Sequence, residues 1–276
     1  MEDLMTIVFA PPRFGKTCFC VNEANMAAFD RERNRSMQNE IILKQASGFD
    51  AIKTVPQHCV ASNIPITMRK FGYSPRHSRL INPYRLGYHN EHVKVHFTLP
   101  YQFSVIDEAQ KYLNSRMSLY YPDWQSRYYE QCGHDYLRFL FATQRPELID
   151  VNIRALCNFI EIMKLDLRYD DFHKVKRLTW LIRRIESNSA YEAYMASGKK
   201  DKGCFTEELV TADYNVFDCY DSRNCKPKFY QGHMNEDFDY ILSEPTEENY
   251  AAYIKYLKEN DDELPENFYI KRKAIA

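Results

Sequence analysis

The chain has 276 residues, of which 45% are hydrophobic, so it is long enough to bury a substantial core. The formal net charge is −1, so the overall charge does not indicate a nucleic-acid partner. It does not exclude a local basic surface. The eight cysteines include no Cys-x-x-Cys pair, which argues against a zinc finger and favours reduced thiols. No apolar run approaches the roughly 18 residues of a membrane span.

The first predicted elements are a short buried strand over Thr6-Ile7-Val8-Phe9, a loop, and a helix from Cys18 to about Arg33. Strand, loop and helix in this order are the context of a phosphate-binding P-loop. Its backbone N–H groups and the helix N-terminus point at the phosphates. The residues that we predict to bind a nucleotide here are Pro11, Pro12, Arg13, Phe14, Gly15, Lys16, Thr17 and Cys18.

Three residues at the end of this loop would carry the chemistry. Gly15 lets the backbone approach the phosphates, Lys16 reaches the β- and γ-phosphates, and the Thr17 hydroxyl can bind Mg²⁺. The pattern departs from G-x-x-x-x-G-K-[ST] at Ala10, where the first glycine is expected, and alanine tolerates a turn with positive φ poorly. A chance Gly-Lys-Thr at a strand-to-helix turn is the alternative.

A second apolar strand, residues 103–106, delivers Asp107 and Glu108 at its C-terminal end. Strand alternation places the two carboxylates on opposite sides of the strand tip. Asp107 is then the predicted Mg²⁺ ligand and Glu108 the base that activates water, as in a Walker B motif. A solvated helix N-terminus, where acidic residues are favourable, is the alternative.

A third strand is predicted over residues 136–144 and ends in the polar Gln144. In a parallel sheet Gln144 would lie beside the P-loop strand, where it could sense the γ-phosphate or position water. Arg145-Pro146 breaks the strand, a helix follows over 147–156, and two further strands are predicted over 158–167 and 175–185.

Strands alternating with helices predict an α/β fold with a mostly parallel sheet covered on both faces by helices. Ligands of such sheets bind at the C-terminal strand ends, where the P-loop, Asp107-Glu108 and Gln144 all fall. We predict a core over residues 1–189 and a smaller, mainly helical C-terminal extension over 190–276. An irregular insertion at about 70–98, with one short hairpin, is basic and aromatic, which permits nucleic-acid contact.

These motifs resemble the zonular occludens toxin (Zot-type) family, which includes the filamentous-phage assembly ATPases and lies near the FtsK and HerA DNA-translocating ATPases. The resemblance covers roughly the first two-thirds of the chain. It rests on Gly15-Lys16-Thr17, on residues 105–109 and on Ala142-Thr143-Gln144-Arg145-Pro146, the most discriminating string. Tyr220-Asp221-Ser222 resembles a short tyrosine-containing motif that follows the core in this group.

The resemblance implies a RecA-like ATPase that uses ATP and Mg²⁺, forms a ring such as a hexamer, and powers virion assembly and extrusion. By position, Lys16 and Thr17 bind phosphate and Mg²⁺, Asp107 and Glu108 form Walker B, and Gln144 is the polar sensor. An arginine finger from a neighbouring subunit is expected, with Arg145 and Arg154 as the candidates.

Phage-assembly members usually carry a membrane span after the ATPase part, and this chain has none. The resemblance therefore implies a protein of the host cytoplasm that phage or membrane assembly proteins recruit to the inner membrane. Two alternatives stay open. One is a soluble DNA-packaging or DNA-translocating motor, with DNA as its partner. The other is a nucleotide-binding scaffold with little turnover.

Overall fold

The computed structural model describes residues 4–46, 60–73, 76–81, 83, 86, 89–90, 95–96, 101–116, 123–171, 175–213, 216–217 and 219–220. The elements up to the third helix are β1 Met5–Phe9, α1 Lys16–Ala28, α2 Arg31–Ala46, β2 Val60–Ser62, β3 Thr67–Met68, β4 Arg76–His77, β5 Arg79–Leu80, β6 His89–Asn90, β7 Val95–His96, β8 Phe103–Ile106 and α3 Asp123–Gln131. Those that follow are β9 Arg138–Thr143, α4 Val151–Ala155, β10 Asn158–Tyr169, β11 Val175–Ile185, α5 Asn188–Ala196 and β12 Thr206–Asp213.

One sheet of eight strands organises the described residues, in the order β12-β11-β10-β1-β9-β8-β2-β5. The six strands from β10 to β5 are mutually parallel, whereas β10, β11 and β12 pair antiparallel. The predicted α/β fold with a mostly parallel central sheet is therefore confirmed. Strand β9 lies between β1 and β8, which puts the ends of three predicted functional strands side by side.

The central strands are apolar at successive positions because both of their faces are covered. In β1, Val8 joins a core cluster that includes Phe19 of α1, while Ile7 and Phe9 join a second cluster with Tyr191 and Tyr194 of α5. The Phe9 and Tyr191 rings meet edge to face at 5.7 Å between centroids. Two helices on opposite faces thus hold the P-loop strand in the middle of the fold.

The predicted helix from Cys18 to about Arg33 is two helices, α1 and α2, separated by Phe29 and Asp30. The Asp30 carboxylate accepts a hydrogen bond from the Arg33 backbone N–H at 3.0 Å, so it caps the start of α2. The break was not predicted, because the mixed-charge run over residues 31–35 was interpreted as the end of a single helix.

Two regions carry strands that the sequence did not predict. One hairpin was expected in the insertion, but the structure has two in this region: β6–β7 lies within the insertion, and β3–β4 begins just before it. Strand β5 of the insertion joins the edge of the main sheet. At the start of the predicted extension, α5 is helical, but β12 is a strand that pairs with β11 in the main sheet. The division at residue 190 stays a prediction, and the helical content expected after residue 220 lies outside the described residues. No helix in the described residues is both long and apolar enough to cross a bilayer.

Candidate nucleotide-binding site

The candidate site lies at the carboxyl ends of the parallel strands, where the P-loop follows β1. Phe9 is the last residue of β1, and Lys16 and Thr17 open α1. The register pairs Phe9 with Thr143 of β9, so Gln144 follows immediately beside the loop. Strand, loop and helix therefore have the order that was predicted, and the loop is anchored at both ends by the core.

The turn at Ala10 does not require glycine. Ala10 is buried and lies outside the set of described residues with positive φ, which in this loop contains Arg13 at 69° and Gly15 at 77°. The expected penalty for alanine at this position therefore does not arise. The left-handed conformation falls instead on Arg13, an exposed residue at the tip of the loop.

Gly15 is required both by its backbone and by its surroundings. A Cβ atom at this position would lie 3.1 Å from Trp180 Nε1 and 3.2 Å from Leu165 Cδ2. These two residues are register partners in the β10–β11 hairpin, which continues past the end of β1 and flanks the loop. Trp180 is fully buried and meets Phe19 of α1 edge to face, so it has little freedom to retreat.

The Lys16 side chain turns back over the loop. Its Nζ donates to the Ala10 carbonyl at 2.9 Å and to the Pro11 carbonyl at 3.2 Å, and the residue is 8% exposed. These two carbonyl oxygens hold the ammonium group at the mouth of the loop. A lysine held in this way can exchange carbonyl oxygens for phosphate oxygens.

The Thr17 hydroxyl donates to Asp107 Oδ2 at 3.2 Å, which joins the P-loop helix to the end of β8. Asp107 is 2% exposed, so the alternative of a solvated helix N-terminus does not describe it. A hydroxyl and a carboxylate oxygen are ligands that Mg²⁺ accepts, and Mg²⁺ usually keeps several waters beside them. No cluster of three or more His, Cys, Asp or Glu residues that could hold a metal occurs within the described residues.

Asn63, which follows the end of β2, holds the backbone of Asp107 from both sides. Its amide donates to the Asp107 carbonyl at 2.9 Å, and its Oδ1 accepts the Asp107 backbone N–H at 2.8 Å. Asn63 is 2% exposed. Asn63 was not among the predicted site residues, although a polar residue at the end of a buried parallel strand is a signal for such a site.

Glu108 reaches its position by a left-handed backbone rather than by strand alternation. β8 ends at Ile106, and Glu108 has φ 54°. The pleat of β8 therefore does not set the direction of Glu108, because pleat alternation does not extend into a turn. Gln110 Nε2 donates to Glu108 Oε2 at 2.8 Å, and Lys111 Nζ lies 3.9 Å from the same oxygen.

The other predicted site residues are divided between the two ends of the parallel strands. Gln144 and Arg145 are exposed and follow the carboxyl end of β9, at the same sheet edge as the P-loop. Arg154 lies in α4, shortly before the amino end of β10, which is at the opposite sheet edge. The choice of an arginine finger between Arg145 and Arg154 stays a prediction, since a finger acts on the site of a neighbouring subunit.

Tyr220 brings the segment after β12 to the first turn of α1. Its hydroxyl hydrogen-bonds to the Cys18 thiol, and its neighbour Cys219 accepts a hydrogen bond from the Thr67 backbone N–H at 2.7 Å. Burial raises the pKa of Cys18 to about 12, so this thiol stays protonated at neutral pH. Cys18 therefore serves the loop through its backbone and its packing.

Strand, loop, helix N-terminus and strand-end carboxylate together have the arrangement of P-loop NTPases. The fold is similar to the crystal structure of the N-terminal domain of zonular occludens toxin from Neisseria meningitidis, with 19% identity over 80% of this chain and 100% of that chain and a TM-score of 0.45. It is also similar to the genome packaging NTPase B204 from Sulfolobus turreted icosahedral virus 2, which was solved with ATP-γS. That match has 10% identity, covers 76% and 98% of the two chains, and has a TM-score of 0.33.

No protein-family model and no curated protein matches the sequence.

Proposed function

We propose that the chain is a RecA-like P-loop ATPase that hydrolyses Mg-ATP. The observation that carries this proposal is the 3.2 Å contact between the Thr17 hydroxyl and Asp107 Oδ2. It joins two motifs that lie ninety residues apart in sequence, at the place where a P-loop ATPase needs its magnesium ligands. A chance Gly-Lys-Thr turn has no reason to meet a buried strand-end carboxylate.

Each residue then has a definite task. Lys16 and the backbone N–H groups of the loop would bind the phosphates, and Thr17 and Asp107 would hold Mg²⁺. When bound, Mg-ATP supplies the transferable phosphoryl group and the cation that neutralises its charge. Glu108 would accept a proton from water, and among the described contacts both of its partners use Oε2, which leaves Oε1 to orient that water.

The biological role that we propose is to power filamentous-phage-type virion assembly and extrusion, as a ring of identical subunits at the host membrane. This part of the proposal rests on the motif resemblance, above all on Ala142-Thr143-Gln144-Arg145-Pro146. Phage or membrane assembly proteins would be its partners. A soluble DNA-packaging or DNA-translocating motor is the alternative role for the same ATPase.

A scaffold with little turnover is a second candidate, and the contacts of two side chains favour it. Lys16 is satisfied by the Ala10 and Pro11 carbonyls, and Glu108 is tied to Gln110. Both catalytic side chains must give up protein partners before they act. A scaffold would keep these contacts with nucleotide bound, whereas an ATPase would exchange them.

The deciding experiment is Mg-ATP turnover of the full chain and of Lys16→Ala, over a range of protein concentrations. We expect turnover that disappears in Lys16→Ala and rises faster than linearly with concentration, because a ring shares active sites between subunits. Lys164→Ala is the matched control, since Lys164 is exposed on β10. Nucleotide binding without turnover at any concentration would contradict the ATPase and support the scaffold.

A further inference from the structure

A basic and aromatic surface lies at the end of α1 that is remote from the P-loop. We call it the turn patch, and its members come from the β3–β4 hairpin and the start of α2: Arg31, Arg69, Lys70, Phe71, Tyr73 and Arg76. α1 has 13 residues, so its two ends are about 20 Å apart. The turn patch is therefore separate from the candidate nucleotide site, and the proposed ATPase does not use it.

The turn of this hairpin projects an aromatic ring into solvent. The Tyr73 backbone N–H donates to the Lys70 carbonyl at 3.1 Å, and Gly72 has φ 78°, so the turn is closed and uses glycine for its left-handed residue. Phe71 is 100% exposed and Tyr73 is 41% exposed. The Phe71 side chain is thus exposed to solvent, although a backbone hydrogen bond closes the turn that carries it.

Cations lie over two aromatic rings at this end of α1, those of Tyr73 and Phe29. The Arg31 guanidinium lies 5.7 Å and the Lys70 ammonium 5.5 Å from the centre of the Tyr73 ring, within cation–π distance, and Arg31 also donates to the Tyr73 hydroxyl. The Arg76 guanidinium lies 5.0 Å from the centre of the Phe29 ring. None of the four cations of the turn patch forms an ion pair with a carboxylate of the described residues.

Part of this arrangement has a structural explanation. Arg76 donates to the Ala28 carbonyl at the C-terminus of α1, where a cation is favourable, and Arg31 fixes Tyr73. These contacts do not explain Lys70 or Phe71. They also leave Arg69 Nε, a buried donor without a hydrogen-bond partner. A buried unpaired donor at the rim of a cationic surface indicates a missing acceptor.

We propose that the turn patch binds single-stranded nucleic acid. Unpaired bases would stack on the Phe71 ring, and Lys70 and the neighbouring arginines would bind the phosphates. Stacking requires an unpaired base with an accessible face, which is why a fully exposed ring favours a single strand over a duplex. An anionic membrane is the less favoured ligand, because one apolar side chain offers little surface to bury in lipid.

The test measures binding of a fluorescein-labelled thymidine oligonucleotide of about 20 residues to the full chain by fluorescence anisotropy, without ATP. We expect Phe71→Leu, which keeps an apolar side chain but removes the ring, to weaken binding by about 5- to 100-fold. We expect Lys70→Gln to lower the slope of log K against log salt by about 0.7. Because no nucleotide is present, failure of this proposal and failure of the ATPase are separate results.

Matched controls come from the C-terminal end of β10, where the exposed Arg168 and Tyr169 offer an arginine and an aromatic ring at another place. Arg168 lies 3.8 Å from the Asp166 carboxylate, so its charge is already compensated. Tyr169→Leu and Arg168→Gln should bind the oligonucleotide as the unmodified chain does. Equal losses in these controls, or no binding by the unmodified chain in 50 mM salt, would overturn the proposal. So would retention by phosphatidylserine vesicles without oligonucleotide binding.

Discussion

The Thr17 hydroxyl and Asp107 Oδ2 lie 3.2 Å apart, and this contact fixes α1 to the carboxyl end of β8 across the intervening strand β9. Neither residue can shift without disturbing the other. The Asn63 side-chain amide makes two hydrogen bonds to the backbone of Asp107, so the carboxylate is positioned before any ligand binds. Preorganised oxygens of this kind lower the reorganisation that binding of a metal ion requires.

The first prediction concerns this contact. Thr17→Val keeps the shape of the side chain but removes the hydroxyl, so we expect Mg-ATP affinity to fall by about 10-fold or more. Thr17→Ser, which keeps the hydroxyl, should retain most of the affinity. Isothermal titration calorimetry with and without Mg²⁺ makes the comparison. Equal affinity of the valine and serine variants would exclude Thr17 as a metal ligand.

The second prediction concerns the proposed base. Glu108→Gln keeps the size of the side chain and its place beside Gln110 but cannot accept a proton, so turnover should fall by about 10²- to 10⁴-fold. Nucleotide affinity should stay within about twofold, since Glu108 would not hold the phosphates. Steady-state turnover and equilibrium binding are measured on the same preparation. Turnover that survives the substitution would assign the base to another residue.

The third prediction separates the two reasons for glycine at position 15. Gly15→Ala meets both a positive φ and a Cβ contact of 3.1 Å with Trp180 Nε1, whereas Gly72→Ala meets a positive φ of 78° with nothing within 4 Å. Each alanine should lower the free energy of unfolding by about 1 kcal/mol through the backbone alone. Gly15→Ala should lose more, together with nucleotide affinity, while Gly72→Ala keeps affinity. Urea unfolding and nucleotide titration give the two readouts, and equal losses would contradict the packing argument.

The fourth prediction is a pH dependence of stability. Burial in α1 raises the pKa of Glu23, and this rise outweighs the opposing effects of Arg184 and of the hydrogen bond from Asn22. The folded state therefore binds the proton more tightly than the unfolded state, so stability falls as pH rises from the ordinary pKa of glutamate, about 4.5, through the raised value. Glu23→Gln removes this loss.

We expect Glu23→Gln to unfold at higher urea concentration than the unmodified chain at pH 7, with the difference shrinking as the pH approaches 4. Glu32→Gln, an exposed position on α2, is the control and should leave the pH profile unchanged. A gain for Glu23→Gln that is constant from pH 4 to pH 8 would show that the carboxyl group's ionisation is not its cause.

Much of the fold followed from local sequence. The strands ending at Phe9, Ile106 and Thr143 were predictable because buried parallel strands are continuous apolar runs, and the polar residues after them mark their ends. The P-loop was predictable because Gly-Lys-Thr between a strand and a helix is typical of a phosphate-binding loop. Asp107 and Gln144 were placed at the same sheet edge by strand direction alone.

Tertiary structure decided what depends on contacts between distant segments. Asn63 clamps Asp107, and Trp180 packs beside Gly15, only because the sheet brings β2 to β8 and folds β10–β11 beside the loop. The left-handed Glu108 and the negative φ at Ala10 depend on how turns close, which side-chain patterning does not encode. The sequence by itself determined which residues could bind phosphate and metal, since that follows from their chemistry and spacing. Only the fold decided how they are held, because register and packing depend on the whole chain.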